Sequence, residues 1–433
     1  MSQFTFISIM QNLNHPLSVM AVEKLARLTA HFQEHERSQS DNEYDPVHAP
    51  ALMQPLLLPA VFDPKLFGDA MFFDLLKGMA QDPEHAINGL VRVYIEGMLS
   101  PEHENAVLYE KPLVDEGFAT FLKRVCDGRP FGLVINGAEQ WSEPLARLAG
   151  KLFAPILDAQ GLSCSTLEVT LFIGDYGYTP FGIHIDDPYT SVVHFHVGPG
   201  MKEMTLFGRE EFHRLNGERK NCFQPKRILA HGKTWAIQAG DVFVLPPHYY
   251  HIGDTKGFSI GVAIAVSKYT KQNISKQIVN KASNAEQFAK NFEEILQEQR
   301  QHQQTVHDWL QLAHLEFYAK KNSQVSLRYG WRRKPEYELN WQENFITDPD
   351  FPLACLHLEK DIILFARGNR LRLANNELTT ELAQALQAKE FTLEQLHTSL
   401  QGKISYSALQ VILKKMYEFG YLHPQTINAE VAS

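Results

Sequence analysis

The chain has 433 residues, of which 44% are hydrophobic and 21% are charged, and its formal net charge is −9. This composition is typical of a soluble globular protein with two or three domains, and the negative charge argues against general nucleic-acid binding. The start of the chain lacks the basic segment and apolar core of a signal peptide, and no uncharged apolar run approaches the ~20 residues of a membrane helix. We therefore expect a cytoplasmic protein with no membrane partner.

The four cysteines are Cys126, Cys164, Cys222 and Cys355. They are scattered along the chain, with no CxxC pair and no spacing typical of a zinc site. Lone cysteines of this kind are usually small buried hydrophobic residues in a reducing compartment. The cysteines therefore predict neither a disulfide framework nor a thiolate metal site.

The first part of the chain is predicted to be helical. Apolar residues recur at helical spacing over residues 19–36, in "MFFDLLKGMA" (71–80) and in "HAINGLVRVYIEGML" (85–99). These segments predict a helical N-terminal region over residues 1–128. The sequence leaves open whether this region is a separate domain or a cap on the domain next to it.

Short β-rich segments bounded by Gly and Pro come next. They lie at residues 130–137, 165–174, 191–198, 203–207, 233–238, 241–246 and 258–266. Many short strands at this spacing predict an antiparallel barrel or jelly roll, here over residues 129–267.

The helical pattern returns at residue 268 and predicts a linker or dimerisation region over residues 268–350. Its apolar face can form a homodimer interface or pack on the barrel, and the sequence leaves both open. From about residue 356 the pattern reads as a strand, three helices and a short strand, which predicts a winged-helix-like module over residues 351–433. The predicted fold class is therefore α+β.

A histidine and an aspartate stand two residues apart in the apolar stretch "FGIHIDDPYTSVVHFHVG". On a strand, His184 and Asp186 would point to the same face. His251 follows a second apolar strand that ends in a Pro-Pro pair, and neighbouring strands would bring it to the same place. Two imidazoles and one carboxylate on one side of an ion suit non-haem Fe(II), because other coordination positions stay open. The alternative is a set of ordinary polar residues at strand ends.

Three stretches resemble the JmjC-type 2-oxoglutarate oxygenases, which include the asparaginyl hydroxylase of the hypoxia response and the ribosomal oxygenases. The stretches are "GDYGYTPFGIHID", "GPGMKEMTLF" and "GDVFVLPPHYYH", and the match covers about residues 130–267. The resemblance implies a double-stranded β-helix, a cupin-like jelly roll, which binds Fe(II) and takes 2-oxoglutarate and O₂ as co-substrates. It places His184, Asp186 and His251 on the three metal ligands.

The same resemblance assigns two residues to the co-substrate. Lys202 falls on the lysine that pairs with the far carboxylate of 2-oxoglutarate, and Thr179 falls on the threonine that assists it. From composition alone, Lys202 would be a solvated turn lysine. The sequence departs from the family pattern by two extra residues between "TP" and His184, and by Ala263 where some relatives have a polar residue.

Other polar residues near these motifs have competing interpretations. His248 is a rival third ligand, but the Pro-Pro pair and the family pattern favour His251. Asp187 should face away from His184 and is predicted to contact substrate at the entrance. His194 and His196 share a strand face, and they either form a second metal pair, line the barrel mouth, or hydrogen-bond in the core.

The resemblance therefore implies an enzyme, a 2-oxoglutarate-dependent dioxygenase that hydroxylates a side chain of a protein or peptide. A helical region followed by a winged helix also resembles the ribosomal oxygenases. Two alternatives stay open: a small-molecule hydroxylase that uses 2-oxoglutarate, and a cupin-like metal-binding or interaction protein without 2-oxoglutarate turnover.

Overall fold

A computed structural model describes the chain over residues 54–160, 165–268, 271–283, 299–335 and 338–425. The predicted helix at residues 19–36 lies outside these described residues, as does Cys164. Described residues up to 268 belong to one compact unit, except for Ser165, and those from 271 onward belong to a second. The finer division into four domains stays a prediction.

The first unit combines helices with one antiparallel sheet. Its helices are α1 (Asp69–Met79), α2 (Pro83–Ile87), α3 (Pro101–Tyr109), α4 (Phe118–Val125), α5 (Glu143–Gln160) and α6 (Arg209–Asn216). Its strands are β1 (Leu56–Leu58), β2 (Val91–Ile95), β3 (Met98–Leu99), β4 (Phe131–Ile135), β5 (Ser165–Gly174), β6 (Thr190–Phe207), β7 (Lys233–Ile237), β8 (Val242–Leu245) and β9 (Tyr250–Lys268). The strand order is β1-β8-β6-β9-β5-β4-β2-β3, with β7 paired to β6.

Strands β6 and β9 each take part in two groups of strands. The first half of β6 pairs with β8 and with the second half of β9, while the second half of β6 pairs with β7 and with the first half of β9. The register shifts between His196 and Met201, where β6 changes partners. Apolar side chains from both groups share one core cluster, which includes Val192, Met204 and Phe243. The two groups therefore face each other across a common interior.

Most of the predicted strands are confirmed, and they are of two kinds: strands buried at every position, such as β4 and β8, and strands in which buried and partly exposed residues alternate. In β5, for example, Leu167, Val169 and Leu171 are buried, whereas Glu168 and Thr170 between them are partly exposed. The strands predicted at 191–198 and 203–207 are one continuous strand, β6. The strand predicted at 258–266 begins earlier, so that His251 lies within β9.

The helix predicted over residues 85–99 is wrong. This segment contains the end of α2 and then strands β2 and β3. Gly89 has a φ of +90° that ends the helical path, and Val91, Val93 and Ile95 are buried on one face of β2. Over so short a stretch, the spacing of these apolar residues fits both the 3.6-residue period of a helix and the two-residue period of a strand. The β-branched side chains favour the strand. The helix predicted at 71–80 is confirmed as α1.

The second unit contains helices and two small antiparallel sheets. Its helices are α7 (Lys271–Ser283), α8 (Gln299–Ser323), α9 (Glu377–Ala385), α10 (Leu393–Ser399) and α11 (Tyr406–Glu418). Its strands are β10 (Asn344–Thr347), β11 (Ala354–His357), β12 (Asp361–Ala366), β13 (Asn369–Ala374), β14 (Glu390–Thr392) and β15 (Leu422–Pro424), in the orders β14-β10-β15 and β11-β12-β13. The three helices and short final strand predicted at the C-terminal end are present.

The single strand predicted near residue 356 is three strands, which corrects that part of the prediction. Strands β12 and β13 form a hairpin whose two loop residues, Arg367 and Gly368, have φ values of +47° and +80°. Two-residue hairpin turns of this kind need positive φ at both positions. The apolar run of β12 indicates one strand by itself. In β13 polar and apolar residues alternate, and this segment was not identified as the partner strand of β12.

Asp241 fixes the turn that leads into β8. Its buried carboxylate accepts hydrogen bonds from the backbone N–H groups of Ala60 and Gln238, both at 2.8 Å. Gly240 just before it has a φ of +89°, and a Cβ there would lie 2.7 Å from the carbonyl oxygen of Phe62. The Gly-Asp pair therefore joins the chain near residue 60 to the strand that precedes His251.

We expect Asp241→Ala to lower the free energy of unfolding by about 2–4 kcal/mol, because two buried N–H groups lose a charged acceptor. Urea denaturation at neutral pH measures this change. Asp63→Ala is the matched control, since Asp63 accepts one hydrogen bond from the N–H of Lys65 at an exposed turn. A loss for Asp241→Ala no larger than that of the control would contradict this role.

Among the described helices, none combines the length and the hydropathy that a bilayer crossing requires.

Candidate metal centre

Backbone pairing brings two of the predicted ligands side by side. His184 and His251 form an isolated antiparallel bridge, in which the N–H of His184 donates to the carbonyl of His251 at 3.1 Å and the reverse bond is 2.7 Å. Residues directly opposite each other in such a pair send their side chains to the same face. The two imidazole rings accordingly lie with their centroids 4.3 Å apart.

Asp186 completes the cluster from two residues along the chain. Its carboxylate oxygens lie 3.9 Å from Nε2 of His184 and 3.9 Å from Nε2 of His251. The potential ligand atoms of the three residues all lie within 4.8 Å of one another, and this is the one group of three or more such residues found in the described part of the chain. The structure thus brings together the three residues that the sequence predicted.

Backbone carbonyls orient both imidazoles. Nδ1 of His184 lies 3.0 Å from the carbonyl oxygen of Gly182, and Nδ1 of His251 lies 3.3 Å from that of Tyr249. A carbonyl only accepts, so each Nδ1 carries the proton when it makes this bond. The Nε2 lone pairs then face the same space as the Asp186 carboxylate, which is the orientation that metal-binding histidines usually have.

Burial favours the uncharged form of the His251 imidazole, which is the form that binds a metal ion. Burial lowers the pKa of His251 to about 4, although the Asp186 charge acts in the opposite direction. At neutral pH the imidazole is therefore uncharged, as metal coordination requires. The donor set of two imidazoles and one carboxylate on one side of a shared space fits a divalent metal such as Fe(II).

Lys202 is buried in the same interior, and the described part of the chain supplies no counter-charge to it. Its side chain forms neither an ion pair nor a hydrogen bond with any described residue, and its Nζ lies 5.1 Å from the centroid of the Phe172 ring. Burial lowers the pKa of Lys202 to about 8. The prediction of a solvated turn lysine from composition is therefore wrong, and an anion would be well matched to this site.

Two glycines and Thr179 surround the end of Lys202. A Cβ at Gly253 would lie 2.8 Å from Cε of Lys202, and one at Gly261 would lie 4.0 Å from its Nζ. The Thr179 hydroxyl donates to the carbonyl of Gly253 at 3.0 Å and accepts from its N–H at 3.2 Å. Thr179 thus lies beside Lys202, as its predicted role requires, and that role stays a prediction.

The rival residues lie elsewhere. His248 packs against Tyr249 with ring centroids 4.6 Å apart and an interplanar angle of 38°, and it is not part of the three-residue cluster. Asp187 is exposed, and its carbonyl oxygen accepts from the N–H of Thr190. His196 makes a hydrogen bond within its own strand, since its Nε2 lies 2.7 Å from the carbonyl oxygen of Gly200. No second group of three metal ligands occurs among the described residues.

Two glycines that support the site were missed by the sequence analysis. Gly182 has a φ of +69°, and a Cβ there would lie 2.5 Å from the carbonyl oxygen of Cys222. It therefore allows the close backbone pairing that precedes His184. Gly253 keeps space beside Lys202. Each glycine lies two residues from a predicted histidine ligand, and this spacing is the signal that could have identified them.

Comparison with known proteins gives a distant structural likeness. No protein-family model matches the chain, and no curated protein matches it. A structure of YcfD, a ribosomal oxygenase from Escherichia coli, is similar over 86% of this chain and 95% of that chain, at 14% identity and a TM-score of 0.43. Structures of YcfD with cobalt and succinic acid and with cobalt and 2-oxoglutarate match at the same identity and coverage, with TM-scores of 0.42 and 0.43. The function of this chain therefore has to be argued from its own residues.

Proposed function

We propose that the chain is an Fe(II)- and 2-oxoglutarate-dependent oxygenase that hydroxylates a side chain of a protein or peptide. The observation that carries the proposal is the combination of the His184–Asp186–His251 cluster with a buried, uncompensated Lys202 in the same interior. A metal site alone would suit many proteins. A metal site beside a buried cation suits a ligand that chelates a metal at one end and carries a carboxylate at the other.

The fold supports this proposal. Two facing groups of strands that share the long strands β6 and β9 are what a double-stranded β-helix, or cupin-like jelly roll, requires. We propose this fold for the first unit. For residues 351–433, where α9 to α11 pack on small sheets, we propose a winged-helix-like module.

Each residue of the site has a defined task in this reaction. His184, Asp186 and His251 would hold Fe(II) on one side and leave the remaining coordination positions for the 2-oxo acid and O₂. Lys202 would bind the far carboxylate through a charge-assisted hydrogen bond and so fix the direction in which the acid lies. Burial of Lys202 and His251 keeps bulk water from competing for these contacts.

Bound together, Fe(II) and 2-oxoglutarate supply the oxygen chemistry: O₂ oxidises the 2-oxo acid to succinate and CO₂, and its second oxygen atom converts a substrate C–H bond into C–OH. The protein contributes position, charge and a dry interior. The resemblance of the motif stretches to JmjC-type oxygenases supports a protein or peptide substrate, with ribosomal proteins as the first class to test. Homodimer formation stays a prediction.

Substrate class is tested by supplying the protein with Fe(II), 2-oxoglutarate and O₂ together with ribosomal proteins or, separately, the small molecules of a cell extract. We expect a peptide from the first set to gain the mass of one oxygen atom, and the Asp186→Ala variant to give no such product. Succinate formation stimulated only by the small molecules would favour a small-molecule hydroxylase. No succinate formation with either set would contradict the oxygenase assignment.

Gly253→Ala should weaken 2-oxoglutarate binding about 10-fold, because the added methyl group displaces the Lys202 side chain at a cost of about 1–3 kcal/mol. Metal binding should not change, since Gly253 is not a ligand. Gly208→Ala is the control: a methyl group at this position, directly after β6, would meet no described atom within 4 Å. Calorimetric titration of both variants measures the effect, and equal affinities would contradict the proposed contact with Lys202.

A further inference from the structure

His194 is a buried imidazole on the strand that carries Lys202. It lies on β6 opposite Phe243 of β8 and opposite Ala263 of β9. Residues directly opposite share a face of the sheet, so the small Ala263 side chain leaves room beside the imidazole. The His194 side chain is enclosed by its neighbours and only 8% of the residue is exposed.

Among the described residues, the imidazole of His194 has no hydrogen-bond partner. Its Nε2 is buried without a partner, and neither ring nitrogen bonds to any residue in the described part of the chain. Its strand neighbour His196 differs, because one of that residue's ring nitrogens contacts the carbonyl oxygen of Gly200. Buried polar groups in native proteins are nearly always paired, so an unpaired one calls for a partner that the protein itself does not supply.

His194 and Lys202 both lie near the ring of Phe172. The ring centroid of His194 is 6.3 Å from that of Phe172, and Nζ of Lys202 is 5.1 Å from the same centroid. Burial, and then the charge of Lys202, lower the pKa of His194 well below its usual range. The ring is therefore neutral at neutral pH, with one N–H to donate.

We propose that His194 is a second anchor for the bound 2-oxo acid, with its Nε2–H donating a hydrogen bond to an oxygen of that ligand. This inference rests on the proposed function and adds a residue that the motif resemblance did not assign. A ligand oxygen would satisfy the unpaired nitrogen and select the Nε2–H tautomer. The acid would then be held from one side by the ammonium of Lys202 and from another by a neutral donor.

The test uses the full-length protein loaded with Mn(II), and calorimetry gives the dissociation constants of the metal and of 2-oxoglutarate. His194→Phe fills the same volume without a donor, whereas His194→Gln places an amide N–H near the position of Nε2. We expect His194→Phe to weaken 2-oxoglutarate binding about 10- to 100-fold, the usual effect of losing a hydrogen bond to a charged group. His194→Gln should recover most of this loss, and metal affinity should be unchanged in both variants.

Two further variants distinguish a loss of the hydrogen bond from a general loosening or misfolding of the protein. Val192→Ala loosens the same face of β6 and should leave 2-oxoglutarate affinity unchanged. If His194→Phe does not fold, His194→Asn replaces it, because its shorter amide cannot reach the Nε2 position. Wild-type affinity in the donor-free variant would overturn the inference alone and would mean that water satisfies Nε2. Wild-type protein that binds Mn(II) but not 2-oxoglutarate would overturn the proposed function, and this inference with it.

Discussion

Asp186→Ala should bind Fe(II) more than about 100-fold more weakly than the wild-type protein, a loss beyond that caused by changing a residue behind the ligands. The two imidazoles remain, but the cluster loses its one negative charge and one of its three ligand atoms. With the metal absent, 2-oxoglutarate should lose its chelating partner and turnover should stop. Metal affinity measured by calorimetry or by competition with a coloured chelator gives the result.

Asp187→Ala is the matched control for this variant. Asp187 comes directly after Asp186 in the sequence, but it is exposed and lies outside the three-residue cluster. We expect its removal to leave metal affinity within about twofold of wild type, as for most surface substitutions. Equal metal affinity in both variants, or a larger loss for Asp187→Ala, would show that the carboxylate ligand has been assigned to the wrong residue.

Lys202→Met should have two opposite effects. It should weaken 2-oxoglutarate binding by about 100-fold, because the far carboxylate loses its charged partner while the metal ligands stay intact. It should also stabilise the ligand-free protein at neutral pH by about 3 kcal/mol, since the pKa of Lys202 falls from 10.5 to about 8 on burial. Methionine keeps the apolar stem and removes the buried charge.

The stability difference has a definite pH dependence. Below pH 8 the folded wild-type protein holds the ammonium against the full cost of burial. Between about pH 8 and 10.5 the unfolded chain holds more protons than the folded protein at this position, so wild-type stability should rise toward that of Lys202→Met. Urea denaturation of both proteins across this range measures the convergence.

Lys256→Met is the control for the loss of a lysine. Lys256 is exposed on β9, and its Nζ lies 3.1 Å from Oε2 of Glu203. Its removal should neither stabilise the protein nor change 2-oxoglutarate affinity. If Lys202→Met were destabilising and bound 2-oxoglutarate as well as wild type, the interpretation of Lys202 as an uncompensated buried cation would be wrong.

The His184–Asp186 part of the metal cluster could be predicted from the sequence because it needs only an extended backbone for the two side chains to share a face. His251 joins them through backbone pairing with His184, and its assignment depended on the assumption of neighbouring strands and on the family resemblance. The environment of Lys202 could not be predicted, since its burial depends on the pairing of β6 with β7 and β9. From composition alone Lys202 was expected to be a solvated lysine at a turn. Only the resemblance to a family predicted that Lys202 lies in the interior of the barrel.

Short segments of the fold were also hard to predict, because their structure depends on pairing with distant strands. Strand β5 was predictable because buried and partly exposed positions alternate along it from Leu167 to Ile173. The segment 85–99 could not be predicted, because its few apolar residues fit the period of a helix as well as that of a strand. The pairing of β2 with β4 makes the segment a strand. His194 was seen as a core or lining residue, but its lack of a hydrogen-bond partner depends on neighbours from other strands, which no local pattern encodes.

The central claim is that one site holds both Fe(II) and 2-oxoglutarate. Its most direct test is an anaerobic titration of the protein with Fe(II) and then with 2-oxoglutarate, monitored by visible absorption spectroscopy. We expect the weak charge-transfer band of a metal-chelated 2-oxo acid, absent in His184→Ala and reduced in Lys202→Met at the same ligand concentration. A protein that binds Fe(II) at this site but gives no band at saturating 2-oxoglutarate would contradict the claim.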